Sequence, residues 1–294
     1  MPSNPPDPFL NERIRPGDPY FNYCHWPYDP PASGIGKLRA SALLMHVIRQ
    51  MAASEWLAET IHTIQAGIGN FRSVYGVKRV DGQWALEVYI YDYEREDRIV
   101  SIERLAGACA LHLKLPTTVG SHIPYFMFSF DLDENVAAAD GLIEVVHVYV
   151  GNPGSTVSSG ISYGFTDATT QPELENFYFF FDAANRSEIE DKVRCSAMLN
   201  NPCTLERDLL RPELMDCGTI CLANKRTCNT VYFSGVNVRQ FLFFLEWQHY
   251  PDDFQQFVRS HQNELDHLLY DVGIDYRIND NAVHAVKTGF YGVF

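Results

Sequence analysis

The side chains of this sequence that could do chemistry come in ones and twos, and most have a plainer use. Asp131, Asp133 and Glu134 gather at the end of an apolar run, where carboxylate oxygens could hold a hard cation. A polar turn closing a strand has the same composition. Asp252-Asp253 follows Pro251 at the start of an amphipathic stretch, so helix capping accounts for the pair. Cys195, Cys203, Cys217, Cys221 and Cys228 match no zinc finger or ribbon spacing and read as small buried hydrophobes. Cys24-His25 has the makings of a nucleophile and its base, but it lies in a Pro-rich stretch that offers no rigid placement. His147 and His284 stand inside strand-like runs, where a hydrogen-bonded core histidine competes with a proton-transfer role. No GxxxxGK[ST], GxGxxG or GxSxG pattern is present, which removes the common nucleotide and hydrolase readings. What remains is aromatic: 19 Phe and 16 Tyr in 294 residues.

Most of these aromatics fall in segments of period two. QWALEVYIYDY (83–93) alternates, with Trp84, Leu86, Val88 and Ile90 on one side and Glu87, Tyr89 and Tyr91 on the other. FRSVYGVK (71–78) pairs with it across Asp81-Gly82, a dipeptide suited to a tight hairpin. An acidic-led helix follows over 94–113. The pattern recurs as GISYGF (160–165), ENFYFFFDA (175–183) and a helix over 185–199. It recurs again as NTVYFSGV (229–236), RQFLFFLEW (239–247) and a helix over 251–269. Further strands are expected at 124–132, 142–150, 272–278 and 282–294, and an amphipathic helix from Lys37 to about Thr63. Residues 1–36 read as a Pro-rich arm crossing the surface of a single domain over 37–294, with Phe21, Tyr23, Trp26 and Tyr28 too apolar for a solvated tail.

Ten strands in consecutive hairpins with intervening helices exclude a doubly wound parallel sheet. Either a closed antiparallel barrel ringed by helices or an open sheet covered on one face fits. Closure disposes of edge strands and favours the α+β barrel. Each strand shows an aliphatic or Phe-rich face for the helices (Phe177, Phe179, Phe181; Phe241, Phe243, Leu245). The opposite face is mixed (Arg72, Lys78, Asn176, Tyr178, Gln240, Glu246, Lys287, Tyr291), as a wide lumen tolerates.

Charge and composition narrow the partners. A formal net charge of −14 argues against non-specific nucleic-acid or anionic-membrane binding. No apolar run approaches the roughly 18 residues of a membrane span. Seven cysteines, an odd number without CxxC pairs, and an N-terminus without an apolar signal core suit reduced thiols in a cytoplasmic protein.

The segments SSGISYGF with LENFYFFFDAANRSEIEDKV, NTVYFSGV with FLFFLE, and YDVGIDYRI with AVHAVKTGFYGVF resemble the ABBA prenyltransferases, whose ββα units close a ten-stranded barrel within a ring of helices. Over residues 157–294 the chain is similar to the branch that prenylates cyanobactin peptides. The resemblance implies transfer of a dimethylallyl or geranyl group from its diphosphate to a side chain of a peptide or small aromatic acceptor. Of the strand-borne cations Arg72, Lys78, Lys114, Lys225 and Lys287, it implies that Arg72, Lys78 and Lys287 hold the diphosphate. Tyr89, Tyr91, Tyr178, Tyr232 and Tyr291 would shield the allylic cation. The family carries its Glu on the first hairpin strand, where this chain has Arg72-Ser73, so Glu87 on the partner strand takes the place of the base. Some members work without metal, so Mg²⁺ is the one cofactor left open. The family's basic residues on the second hairpin strands are missing from LEVYIYDY and LENFYFFF.

Two rival readings stand beside this one. One is a related barrel without diphosphate chemistry, binding a hydrophobic ligand or serving a peptide-modifying pathway. The other is an acid–base enzyme using His147 and Glu87. Three convergent lumen cations point to the transferase, an apolar lumen to the binding protein, and a His–carboxylate contact to acid–base chemistry.

Overall fold

A computed structural model describes residues 10–18, 29–70, 73–91, 100–116, 119, 123–151, 159–168, 171–195, 205–279 and 282–294. After a 3₁₀ turn at Leu10–Glu12 come α1 (Ser41–Ile48) and α2 (Ser54–Ile68), then the first hairpin, β1 (Ser73–Val80) and β2 (Gln83–Tyr91). Next follow α3 (Ile102–Ala108), β3 (Met127–Leu132), α4 (Glu134–Ala138), β4 (Val146–Gly151), β5 (Ser159–Phe165) and β6 (Glu173–Asp182). The chain continues through α5 (Arg186–Arg194), α6 (Leu205–Asp208), β7 (Thr219–Lys225) and β8 (Asn229–Val236). It ends with α7 (Val238–Trp247), α8 (Asp252–Ser260), α9 (Gln262–Leu265), β9 (Tyr270–Asn279) and β10 (Ala282–Val293). The ten strands pair antiparallel in chain order, and β1 pairs with β10 to close the barrel.

The alternation of β2 carries through. Leu86, Val88 and Ile90 face outward into one large core together with Val77, Phe128 and Phe130 from the neighbouring strands. Helical residues such as Leu43, Leu57, Phe241 and Phe254 complete that core, so the main apolar layer lies between barrel and helices. A separate, smaller apolar set, Val74, Tyr91, Met127 and Tyr149, lies on the opposite face of the strands. The lumen is therefore not the hydrophobic core, and its remaining positions are free to be polar.

Several elements differ from the sequence expectation. Residues 239–247 are not a strand but belong to α7, so Phe241, Phe243 and Leu245, with Gln240 and Glu246, do not line strand faces. Asn237 caps this helix: its side chain accepts from the Arg239 and Gln240 amides, and Gln240 reaches back to the Asn237 amide at 2.9 Å. Buried Val238, Phe241, Leu242, Phe244 and Leu245 then form one helical stripe. The missing strand is β7, Thr219–Lys225, joined to β8 by a short turn in which the Lys225 amide donates to the Cys228 carbonyl. The expected helix over 37–63 is two helices, separated by a turn in which Ala53 adopts φ 57°. The helix over 94–113 is described only from 100, and there it spans Ile102–Ala108, capped by Ser101.

The described part of the N-terminal arm is tied to the body. The Ile14 amide donates to the Lys37 carbonyl and the Ile14 carbonyl accepts from the Gly36 amide, Arg13 binds Glu264 at 2.5 Å, and Asp18 accepts from Arg39 at 2.7 Å. Phe21, Tyr23, Trp26, Tyr28 and the Cys24-His25 pair lie outside the described residues. Among the described residues no helix is long and apolar enough to cross a membrane.

Candidate functional site

Strand register decides which polar residues meet inside the barrel. Across β1, Gly76 opposes Glu87 on β2 and Tyr291 on β10, while Lys78 lies beside Gly289. Glu87 in turn opposes Asp131 on β3, and Tyr89 opposes Ser129. Lys287 opposes Asp275 on β9, which opposes Thr230 on β8. These positions share the inner face, and the charged ones lie toward the ends of the strands joined by the β1–β2, β7–β8 and β9–β10 turns.

Two ion-pair clusters result. In the first, Lys78 pairs with Glu87 and with Asp131 at 3.0 Å. Glu87 also accepts from Tyr89 Oη at 2.6 Å and from Ser129 Oγ. Lys78 and Glu87 are only 7% and 6% exposed, so each needs the other. Burial works against both charges and the partners win: Lys78 stays charged well above the usual lysine range, and Glu87 is held well below the usual carboxylate range by Lys78, His147 and Ser129. In the second cluster Asp275 binds Lys225 at 2.8 Å, Lys287 at 3.0 Å and Thr230 Oγ1 at 2.7 Å. Burial raises the Asp275 pKa but the two lysines overcome it, bringing it down to about 2. Lys287 titrates below an ordinary lysine, through burial first and then repulsion from Lys78 and Lys225. Lys225 and Lys287 share Asp275, and Lys78 opposes Gly289, two residues along β10 from Lys287, so three lysines lie toward one end of the lumen.

Beside the charged floor stands a ring of tyrosines. Tyr89, Tyr149 and Tyr178 follow one another at centroid spacings of 6.3 and 6.0 Å, and Tyr89, Tyr291 and Tyr232 at 5.7 and 5.9 Å. Glycines make room for the rings. A methyl at Gly273 would lie 2.4 Å from the Tyr232 ring, and one at Gly76 would lie 2.8 Å from that of Tyr291. Burial pushes the Tyr89, Tyr149, Tyr178, Tyr232 and Tyr291 hydroxyls above the usual tyrosine range, so they stay neutral donors. Beyond the ring the lumen turns apolar, with Val74, Tyr91, Met127 and Val293.

A third polar pair lies beside Glu87. His147 Nδ1 contacts both oxygens of Glu175, at 2.9 and 2.8 Å. Burial lowers the His147 pKa, but Glu175, Glu87 and Asp131 outweigh it and the net direction is upward.

Of the sequence candidates, Glu87, Lys78, Lys287, Tyr89, Tyr178, Tyr232 and Tyr291 share the inner face of the barrel, with Tyr91 at its apolar end; Arg72 lies outside the described residues. Asp133 caps α4, Asp252 and Asp253 open α8, and His284 is exposed. Asp131 serves the Lys78 cluster. No set of three His, Cys, Asp or Glu able to hold a metal ion occurs among the described residues. Cys109, Cys221 and Cys228 are buried free thiols, Cys217 is half-buried and Cys195 is exposed; Cys203 is outside the described residues.

Four participants do not emerge from single segments: Ser129, Glu175, Asp275 and Tyr149. Tyr149 shares its strand face with His147, which was a usable signal. The others depend on register between strands far apart in sequence. A scan against family models finds no match for this chain, and a search of curated proteins finds none either.

Proposed function

We propose that the barrel transfers a short allylic group, dimethylallyl or geranyl, from its diphosphate to a side chain of a peptide or small aromatic acceptor. The observation that carries this reading is the convergence of Lys78, Lys225 and Lys287 beside the ring of Tyr89, Tyr149, Tyr178, Tyr232 and Tyr291. The leaving diphosphate needs fixed cations, and the allylic cation it leaves behind needs aromatic faces and little water. The lumen offers these side by side, with an apolar half for the hydrocarbon chain. The ABBA resemblance and the order of hairpins and helices support the same reading.

The lysines are already matched by Glu87, Asp131 and Asp275. A diphosphate would therefore have to draw them away, or arrive with a divalent cation. Asp131, with a side chain 57% exposed, supplies carboxylate oxygens of the kind Mg²⁺ takes.

The test is calorimetric titration with dimethylallyl and geranyl S-thiolodiphosphates, with and without Mg²⁺. Binding near micromolar, about −8 kcal/mol, is expected, weakened at least about tenfold by Lys287→Met. The absence of binding to both donors overturns the proposal. A barrel that holds a hydrophobic ligand without diphosphate chemistry is the second reading, favoured by the neutralised lysines. It predicts equal affinity for geraniol and its diphosphate analogue.

A further inference from the structure

Resting on the allylic-transfer reading, we propose that His147, oriented by Glu175, is the catalytic residue that removes the acceptor's proton, and that Glu87 instead anchors Lys78.

Glu87 lies in the right place for a base but has no free basicity. One oxygen accepts from Ser129, while the other accepts from Tyr89 and pairs with Lys78. A proton delivered there would break contacts that stabilise the ionised form. His147 is arranged the opposite way. With Nδ1–H donated to Glu175, the neutral ring carries its lone pair on Nε2, and that atom has no hydrogen-bond partner among the described residues. The ring stands opposite Ser129 in the β3–β4 register and two residues from Tyr149 on the same face of β4. His147 therefore belongs to the border between the charged floor and the tyrosine ring.

The local fold is shaped to permit this contact. His147 is on β4 and Glu175 on β6, with β5 between them. His147 opposes Gly164 on that intervening strand, and the β5–β6 register slips between Ser162 and Tyr163. A Cβ on Gly164 would lie 2.6 Å from Glu175 Oε1. The carboxylate can cross β5 to reach the imidazole because the intervening residue has no side chain and the bulge shifts the register of β6. Lys78–Asp131 and Lys225–Asp275 also span one strand, but there a long lysine side chain makes the reach, whereas the shorter Glu175 and His147 meet only over a glycine.

The step balances with the two substrates already named. The bond between the allylic carbon and the bridging diphosphate oxygen breaks, its electron pair leaving on diphosphate. The acceptor's nucleophilic atom forms the new bond to that carbon. The proton it carried, from O–H, N–H or ring C–H, moves to His147 Nε2 and then to water as product leaves. Acceptors that lose a proton on alkylation are thus the class served. The groups facing His147 are Glu87 from β2, Asp131 from β3 and Glu175 from β6; Lys78 on β1 is paired with the first two, and β5 presents only Gly164. These carboxylates hold the proton on His147 longer than usual, so turnover rises with pH above the ordinary histidine range.

The experiment uses the full chain with dimethylallyl diphosphate, and N-acetyl-tyrosinamide and N-acetyl-tryptophanamide as acceptors, across the pH range of imidazole titration. His147→Gln is expected to lower kcat by about 10²-fold or more and abolish the pH-dependent limb, while donor affinity stays within about threefold. Glu175→Gln removes the charge facing the ring and Gly164→Ala pushes the carboxylate away from it, so both should move the limb to lower pH. Wild-type turnover and an unchanged limb in His147→Gln would overturn the assignment. Failure of the transfer reading looks different: the wild type then binds no allylic diphosphate, and the assignment falls with it. Should donor bind but neither acceptor be alkylated, ¹⁵N–¹H spectra of the His147 ring decide. An Nδ1–H tautomer whose pKa falls in Glu175→Gln supports the dyad, and an Nε2–H tautomer overturns it.

Discussion

Lys78 is held by two carboxylates and holds Glu87 in return, in surroundings where neither charge reaches water freely. Removing one partner from such a pair leaves the other charged and buried, at a cost of about 3–5 kcal/mol. Lys78→Met should therefore lower the urea midpoint sharply. Lys114→Met should not move it, because the Lys114–Asp140 pair is solvated on both sides, with exposures of 54% and 89%. Equal midpoints for the two variants would show that the lumen pair is hydrated and stabilises little. The alternation of single segments was enough to set Glu87, Tyr89 and Tyr91 on one face, and likewise Tyr178, Tyr232 and Tyr291 in their own strands. It could not reveal that Ser129 quenches Glu87, or that Asp275 gathers two lysines, because those contacts follow from register between strands. Side-chain facing is a local property, whereas the partner opposite is a tertiary one.

The elements were legible where period and turn chemistry agreed. Asp81-Gly82, both at positive φ, joins β1 to β2 as the dipeptide predicts. The segment 239–247 misled because Phe and Leu alternate there by accident: Phe241, Phe243 and Leu245 fit period two, while Val238, Phe241, Leu242 and Leu245 fit the helix. The deciding signal was upstream, in Asn237 and Gln240, which have the spacing of a capping box. β7 escaped notice for the opposite reason. TICLANK has few strong strand formers, and pairing with Phe- and Tyr-rich neighbours on both sides makes it a strand. The cap should be measurable. Asn237→Ala removes the acceptor for two amides and is expected to cost about 1 kcal/mol in urea unfolding. Asn237→Asp should retain most of it, since a carboxylate at a helix N-terminus accepts the same bonds. A neutral alanine variant would mean that the burial of Phe241 and Phe244 alone sets this helix.

At the scale of the whole molecule, three histidines set how stability responds to mild acid, and they do not agree in sign. His267 is wholly buried and its pKa is pushed down to about 4, by burial first and then by the Lys37 cation. His46 stacks on Phe257 at 4.3 Å, its Nε2 has no hydrogen-bond partner among the described residues, and burial lowers its pKa too. Both remain neutral in the folded chain at a pH where the unfolded chain takes up the proton. Their contributions are therefore complete above about pH 6.5 and are lost as the pH falls below it. His147 runs the other way: its raised pKa stabilises the fold below about pH 6.5, and that contribution is lost as pH rises through the folded value. Asp275, with its pKa near 2, and Glu87 stay ionised throughout this window and come into play only at lower pH. A displacement from 6.5 to about 4 at His267 corresponds to roughly 3 kcal/mol at most, which two lowered groups against one raised group should not cancel. Urea midpoints should thus fall from about pH 8 to about pH 5, and His267→Leu should flatten that slope while His147→Gln steepens it. A midpoint that holds level or rises toward pH 5 in the wild type would mean that the lumen dyad, rather than the histidines packed among the helices, governs the acid response of this barrel.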